Sequence, residues 1–178
     1  MPTVIGVRFQ DGVVLAGDRR VVSDNRIVSD SFRHIVDIDS CATGAVGPPS
    51  ALQSFQQRIE DEVRTYSHKR EKQLTKRPFE RLLATVAEET RVEGVGSIQT
   101  RDGVAKLLSV DADGGITETD IAAVGTGARI GIGLLEGLDT DTDATDGMSA
   151  VRDILATVAE RDPGTGPDID VVVIRDRA

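Results

Sequence analysis

The groups able to do chemistry in this chain are few, and they gather near its start. Residues 3–9 and 13–17 are two short apolar runs split by Gln10-Asp11-Gly12, and the second run closes on Asp18-Arg19-Arg20. An Asp-Gly pair between apolar runs signals a tight β-hairpin, because glycine tolerates the positive φ that such turns require. The hairpin begins at residue 2, so the chain terminus is expected at one end of a core strand, beside a charge cluster. A buried terminal amine placed there can serve as the base that activates a nucleophile. Other candidates are sparse. Cys41 is the only cysteine, and His34 and His68 fall on different expected elements without ligand spacing. No metal centre, cofactor or internal disulfide is therefore expected.

The elements that must position these groups follow from periodicity. Strands are expected over 3–9 and 13–18, with Ser23-Asp24-Asn25 turning the chain toward Ile27-Val28, and again over 34–38 and 41–46. Gly47-Pro48-Pro49-Ser50 ends the strand region, with Ser50 as the expected helix N-cap. Leu52, Phe55, Ile59, Val63 and Tyr66 form one helical stripe. Phe79, Leu82, Leu83 and Val86 form a second, after Thr75 as cap and Pro78 in the first turn. Strand signals resume over 96–100, 105–110 and 121–124, a Gly-rich helix starts near Gly127, and another carries Met148, Val151, Ile154, Leu155 and Val158. Residues 169–174 read as a fully apolar last strand, and 138–147, rich in Asp and Thr, as a mobile surface loop. Two helices between sheet segments and two more before the last strand cannot all cover one face of one sheet. Two antiparallel sheets packed together with helices outside both, an α+β fold in a four-layer α-β-β-α sandwich, satisfy the pattern.

Composition agrees with one domain spanning 1–178: 39% apolar residues in a chain of this length support a single core. The apolar runs are too short for a membrane span and the first twenty residues do not read as a signal peptide, so a cytoplasmic protein is expected. A net charge of −9 without a basic stripe argues against nucleic-acid binding. Seventeen Arg against four Lys in an acidic chain suits a surface that stays hydrated at high salt, and hence a halophilic host.

The block running from Thr3 through Phe9, Asp18-Arg19-Arg20 and Val22 resembles the N-terminus of mature proteasome β-type subunits, which are N-terminal nucleophile hydrolases. Val124-Gly125-Thr126-Gly127, residues 133–136, residues 159–166 and residues 169–174 resemble that family's last third, in the same order. The resemblance implies the four-layer fold and a terminal threonine whose hydroxyl attacks a peptide carbonyl while its own amine takes the proton. Asp18 and Arg20 fall where the family has its acid and arginine. His34 falls at the family's lysine, and Pro2 at its threonine. Thr126 matches a family serine near the amine, and Asp162 and Thr165 match its supporting Asp and Ser. Val22 and Gly44 fall at substrate-contacting positions, with the Gly44 N–H aimed at the oxyanion in the family; close packing of strand and helix would also call for a glycine at 44.

Proline has no hydroxyl, so the family's covalent step cannot run at Pro2. Thr3 is a poor replacement, since successive side chains on a strand point to opposite faces. His34 replaces a fixed charge with a group that titrates near ~6.5, and could form a His–carboxylate pair with Asp18, for acid–base work or as a buried structural pair. No propeptide or N-terminal helix is expected, Met1 is removable ahead of a small Pro2, and the end at Ala178 suggests altered ring stacking. Three readings follow: a structural or regulatory ring subunit, partnered by itself or by proteasome α- and β-type subunits; a peptidase or amidohydrolase of altered chemistry acting on peptides or unfolded protein; and a free-standing binding protein on the same scaffold.

Overall fold

The computed structural model describes residues 1–70 and 73–177. In chain order the strands and helices are β1 (Thr3–Phe9), β2 (Gly12–Asp18), β3 (Val21–Ser23), β4 (Arg26–Ser29), β5 (Ile35–Ile38), β6 (Cys41–Val46), α1 (Pro49–Arg70) and α2 (Lys76–Thr90). They continue as β7 (Glu93–Gln99), β8 (Ala105–Val110), β9 (Ile116–Thr119), β10 (Ile121–Gly125), α3 (Ala128–Leu135), α4 (Ala144–Ala159) and β11 (Ile169–Arg175). The strands form a four-stranded antiparallel sheet in the order β10-β1-β2-β11, a five-stranded one in the order β5-β6-β7-β8-β9, and the ribbon β3-β4.

Strands β1 and β2 are continuous apolar runs because both of their faces are covered. Val4 and Leu15 pack in a cluster with Ala42, Val95 and Leu107 of the five-stranded sheet. Ile5, Val7 and Val14 face the other way and pack with Val151, Leu155 and Val158 of α4 and Leu135 of α3. The stripe Leu52, Phe55, Ile59 and Val63 of α1 joins Phe79, Leu83 and Val86 of α2 over Ile98, Leu108 and Val110. These are the stripes that three-to-four spacing predicts.

Pairing brings four strand ends together. Thr3 lies opposite Gly125, Val4 opposite Gly17, and Asp18 opposite Ile169. The loops leaving these ends carry Thr126-Gly127 and residues 160–168, so they meet at the chain terminus. At the far end, Asp11 of the hairpin turn accepts the Ala144 N–H at 2.6 Å and caps α4 in place of a local side chain.

Several expectations are corrected. Helix α1 begins at Pro49, so Ser50 lies inside its first turn rather than at its cap, and Thr75 is the N-cap of α2 by position without a side-chain hydrogen bond. The segment 138–147 is not a loop throughout: α4 starts at Ala144, and Ala144 and Gly147 are buried, Gly147 against the Phe9 ring. Strand β11 is an edge strand, mostly half-buried, and carries Asp170, whose carboxylate binds Arg19. It is therefore not fully apolar.

Candidate active site

Asp18, the last residue of β2, is buried completely. Its Oδ1 accepts the Thr3 N–H at 2.7 Å, and its Oδ2 accepts the Arg20 N–H at 2.9 Å and the Gly166 N–H at 2.7 Å. Burial pushes its carboxyl up from the ordinary range, while the three N–H donors and the Arg20 charge pull against that shift. Three donors and no neighbouring acceptor among these bonds suit the ionised form. Arg20 reaches Asp18 through its main chain only. Its guanidinium donates to Asp30 Oδ1 at 2.8 Å and to the carbonyls of Pro163 and Thr165 at 3.1 and 3.3 Å, tying down the loop that follows α4.

On the helix side of β1 the hydroxyls form a directed chain. Gly127 N–H donates to Thr3 Oγ1 at 2.9 Å, Thr3 lies 2.7 Å from Thr165 Oγ1, and Thr165 donates to Asp162 Oδ2 at 2.6 Å. Because a hydroxyl has one proton, the Thr165 donation fixes Thr3 as the donor between the two threonines. The Thr3 hydroxyl thus donates once and accepts once, and the residue is fully buried. Thr126 Oγ1 lies 2.6 Å from Asp162 Oδ2 and also 2.6 Å from the Met1 carbonyl oxygen. Burial pushes the Asp162 carboxyl up, but its bonds from Thr126, Thr165 and Gly164, with the terminal ammonium, outweigh this and hold it below the usual range.

His34 precedes β5 and is 1% exposed. The expected His–carboxylate pair with Asp18 does not form: Nδ1 lies 2.6 Å from the Asp18 main-chain carbonyl, because the carboxylate is already turned toward three backbone N–H groups. A carbonyl only accepts, so Nδ1 carries the hydrogen and, in the neutral ring, Nε2 holds the lone pair. Nε2 is buried without a partner. Burial lowers the His34 pKa, and the terminal ammonium lowers it further, against the Asp18 carbonyl and the Asp170 charge. Phe32 tilts against the ring, 4.9 Å between centroids.

The two remaining predicted positions lie apart from this cluster's hydrogen bonds. Gly44 sits mid-strand in β6, opposite Ile35 and Val95, and a Cβ there would come within 2.6 Å of both Ile35 and Val4. The close packing at Gly44 is thus against strand residues of both sheets rather than against a helix. Val22 lies on the ribbon opposite the exposed Ile27. Sequence reasoning missed Asp30, the Met1 carbonyl, and the glycines that make room for the terminus. A Cβ at Gly125, where φ is +104°, would run into the Pro2 carbonyl, and one at Gly164 would lie 2.7 Å from the Met1 oxygen. The run Gly125-Thr126-Gly127 and the sequence Asp162-Pro163-Gly164-Thr165-Gly166 were the available signal.

A family profile described as "Proteasome subunit" matches residues 2–174. The chain belongs to the proteasome subunit family. Its relatives include "Proteasome subunit beta 1" of Hyperthermus butylicus, 33% identical over 97% of this chain and 88% of that protein. "Proteasome subunit beta 1" of Korarchaeum cryptofilum is 33% identical over 98% of this chain and 88% of its own length. "Proteasome subunit beta" of Halorhabdus utahensis is 25% identical over 98% of this chain and 76% of its own. The match places the chain among proteasome β subunits, a threonine protease family. Its antiparallel sheets and flanking helices agree with the α+β class, and among the described residues no helix is long and apolar enough to cross a membrane. At this strand end residue 2 is a proline, the Thr3 hydroxyl accepts from Gly127 and donates to Thr165, and His34 Nε2 has no hydrogen-bond partner among the described residues.

Proposed function

We propose that this proteasome β-type chain is a structural or regulatory ring subunit in which threonine acyl transfer has been lost. It takes the family's four-layer α-β-β-α sandwich as a single domain over 1–178. It assembles with copies of itself or with α- and β-type subunits in the cytoplasm. The acidic, Arg-rich composition supports a haloarchaeal, high-salt setting.

One observation carries the reading. At the position where acyl transfer needs a side-chain alcohol there is Pro2, and the hydroxyl next to it, that of Thr3, is buried with both its donor and an acceptor site engaged. Activating Thr3 would require breaking the link to Thr165 and turning the side chain to the opposite face of β1, which inverts every buried side chain along the strand. Asp18, Arg20, Asp162, Thr126 and Thr165 then act as the frame that fixes the terminus, rather than as parts of a peptidase.

Incubation with a peptide epoxyketone, followed by intact mass measurement, tests the loss. No adduct is expected, and an adduct on Thr3, Thr126 or Thr165 overturns the reading. Native mass spectrometry in high salt, with and without a co-expressed α-type subunit, tests the ring. A strictly monomeric chain in both cases favours a free-standing binding protein instead.

A further inference from the structure

We propose that β11 is a self-pairing edge: two copies of this chain join antiparallel along it, about an axis through Val172, and make one sheet continuous across both. Such pairing goes beyond the ring reading and neither requires nor excludes it. A two-fold contact joins copies or rings in pairs, whereas a ring closes through head-to-tail contacts.

The phase of the ladder leaves this edge open. β11 pairs with β2 in an unbroken register, from Ile169 opposite Asp18 to Arg175 opposite Gly12. Arg19 N–H donates to the Asp168 carbonyl at 2.9 Å and Asp176 N–H to the Asp11 carbonyl at 2.8 Å. Even-numbered residues therefore turn their main chain toward β2, and odd-numbered ones turn theirs outward. The outward carbonyls at the two ends are already used: that of Ile169 accepts from Arg152 Nη1 at 2.9 Å, and that of Arg175 accepts from Gln99 Nε2. Between them, the outward N–H and C=O groups of Val171 and Val173 have no hydrogen-bond partner among the described residues. After β11 the chain leads away from this edge, with Arg177 N–H on the Gly103 carbonyl.

Strand edges are ordinarily shortened, bulged, covered, or studded with Lys or Pro, which keeps them from pairing with another chain. The other edges of this molecule follow that rule. Strands β4, β5 and β9 have four residues each, the ribbon β3-β4 is bulged between the Val21 and Val22 pairings, and Glu118 of β9 binds Lys76 and Lys106. Strand β10 has α3 beside it, Gly131 facing Ala123. Strand β11 carries none of these devices: it runs for seven residues without a bulge, Pro, Gly or Lys. An open groove lies along it, lined by Val171, Val172, Ile35, Val36 and Gln56.

The strand's own sequence selects the occupant. Residues 170–175 are Asp, Val, Val, Val, Ile and Arg, a β-branched run with balanced charge, which is the composition that pairs with itself. Matching outward residue to outward residue sets Val171 opposite Val173 of the second copy, and the reverse by symmetry, with Val172 facing its own counterpart on the axis. Each Val171 and Val173 then donates one hydrogen bond and accepts one. Side chains on both faces gain cover: Val171 and Val173 are partly buried against the α4 cluster, and Val172 against the cluster between the sheets. Asp170 comes opposite Ile174 of the second copy with its charge already met by Arg19. The net charge of −9 on each copy opposes association at low ionic strength, and molar salt shortens the reach of that repulsion to about 3 Å.

The test is site-specific cross-linking of the full chain at molar salt, with light scattering over a concentration series. Val172→Cys under mild oxidation is expected to link two copies through residue 172, since residues on the axis face each other closely. Arg175→Cys, which would lie opposite Ile169 of the second copy and far from its own counterpart, should link about tenfold more slowly or not at all. Cys41 does not compete, because it is buried and burial pushes its thiol up to about 12. Val173→Pro removes an outward N–H that β2 does not use, a change that edge strands tolerate. It should weaken self-association about tenfold or more at an unchanged far-UV spectrum. Equal cross-linking rates at 172 and 175 overturn the pairing even where the proline variant fails to fold. Equal self-association of wild type and a folded Val173→Pro overturns it as well. A ring whose copies do not link at 172 leaves the ring reading standing and sinks this one, and a linked pair that never grows beyond two chains does the reverse.

Discussion

Asp18 and His34 are two buried polar side chains joined through the same residue, and they are treated oppositely. The Asp18 carboxylate receives three backbone N–H groups, from β1, from its own turn and from the loop after α4. The His34 ring spends Nδ1 on the Asp18 carbonyl and leaves Nε2 with nothing. A saturated buried group behaves as a fastening: three chain segments depend on it, and removing it strands three donors. A half-used buried group contributes less to the fold than a saturated one.

The largest expected effect tests the saturated side. Asp18→Ala leaves the N–H groups of Thr3, Arg20 and Gly166 without their acceptor at a site closed to water, and should cost about 3–5 kcal/mol, or prevent folding. Denaturant midpoints at constant m measure it. A loss under about 1 kcal/mol would mean that water reaches these donors, and the contrast with His34 would collapse.

Next in size is the hydroxyl chain. Thr3→Val keeps shape and removes the link between Gly127 N–H and Thr165, for an expected loss of about 1–3 kcal/mol. Thr126→Val, at an exposed hydroxyl, should cost less than Thr3→Val in the same titration. Equal costs would show that position along the chain, not burial, sets the value.

The pH response is smaller and has a definite sign. Because the His34 pKa is lowered in the folded state, the unfolded chain binds a proton that the folded one refuses once pH drops below the free value of about 6.5. Stability contributed by neutral His34 is therefore present above that value and is lost as pH falls through it, at no more than about 1.4 kcal/mol per pH unit. Urea midpoints at pH 7.5 and 5.5 should separate wild type from His34→Leu in that direction. Parallel curves would mean that the ring takes up a proton freely, and that Nε2 has a partner after all.

The same contrast explains what was legible in the sequence. The hairpin over β1 and β2 was readable because Gln10-Asp11-Gly12 breaks two apolar runs, but the turn is Gln10-Asp11 rather than Asp-Gly: Gly12 pairs with Phe9 as the first residue of β2, has no positive φ, and lies where a Cβ would come within 2.8 Å of the Ile174 carbonyl. Stripes in α1, α2 and α4 were readable because buried faces enforce a period. Strand β9 was missed, since it is four residues long and carries polar Thr117, Glu118 and Thr119 against a single Ile116. The start of α4 was missed because its cap, Asp11, lies more than a hundred residues away. In the site, residue types pointed to Asp18 and His34 together, but not to which atoms meet. That depended on main-chain groups, the Asp18 carbonyl and the Gly166 N–H, which are the same in every sequence. The glycines at 125, 127, 164 and 166 were visible as letters, yet only the folded loops reveal that Gly125 and Gly164 clear space for residues 1 and 2, while Gly127 lies against Val158 and the Thr3 hydroxyl and Gly166 against Arg20.

The smallest expected effect is the sharpest on the unsaturated side. His34→Leu fills a similar volume, gives up one hydrogen bond to the Asp18 carbonyl and removes a buried nitrogen that has no partner. The lost bond costs about 1 kcal/mol, the removed orphan returns a similar amount, and the net change at pH 7.5 should lie within about 1 kcal/mol of zero. Asp18→Ala and His34→Leu, one residue-contact apart and equally buried, should thus differ by a margin wide enough to read in one denaturation series. A His34→Leu cost above about 3 kcal/mol would place the imidazole among the fastenings with Asp18.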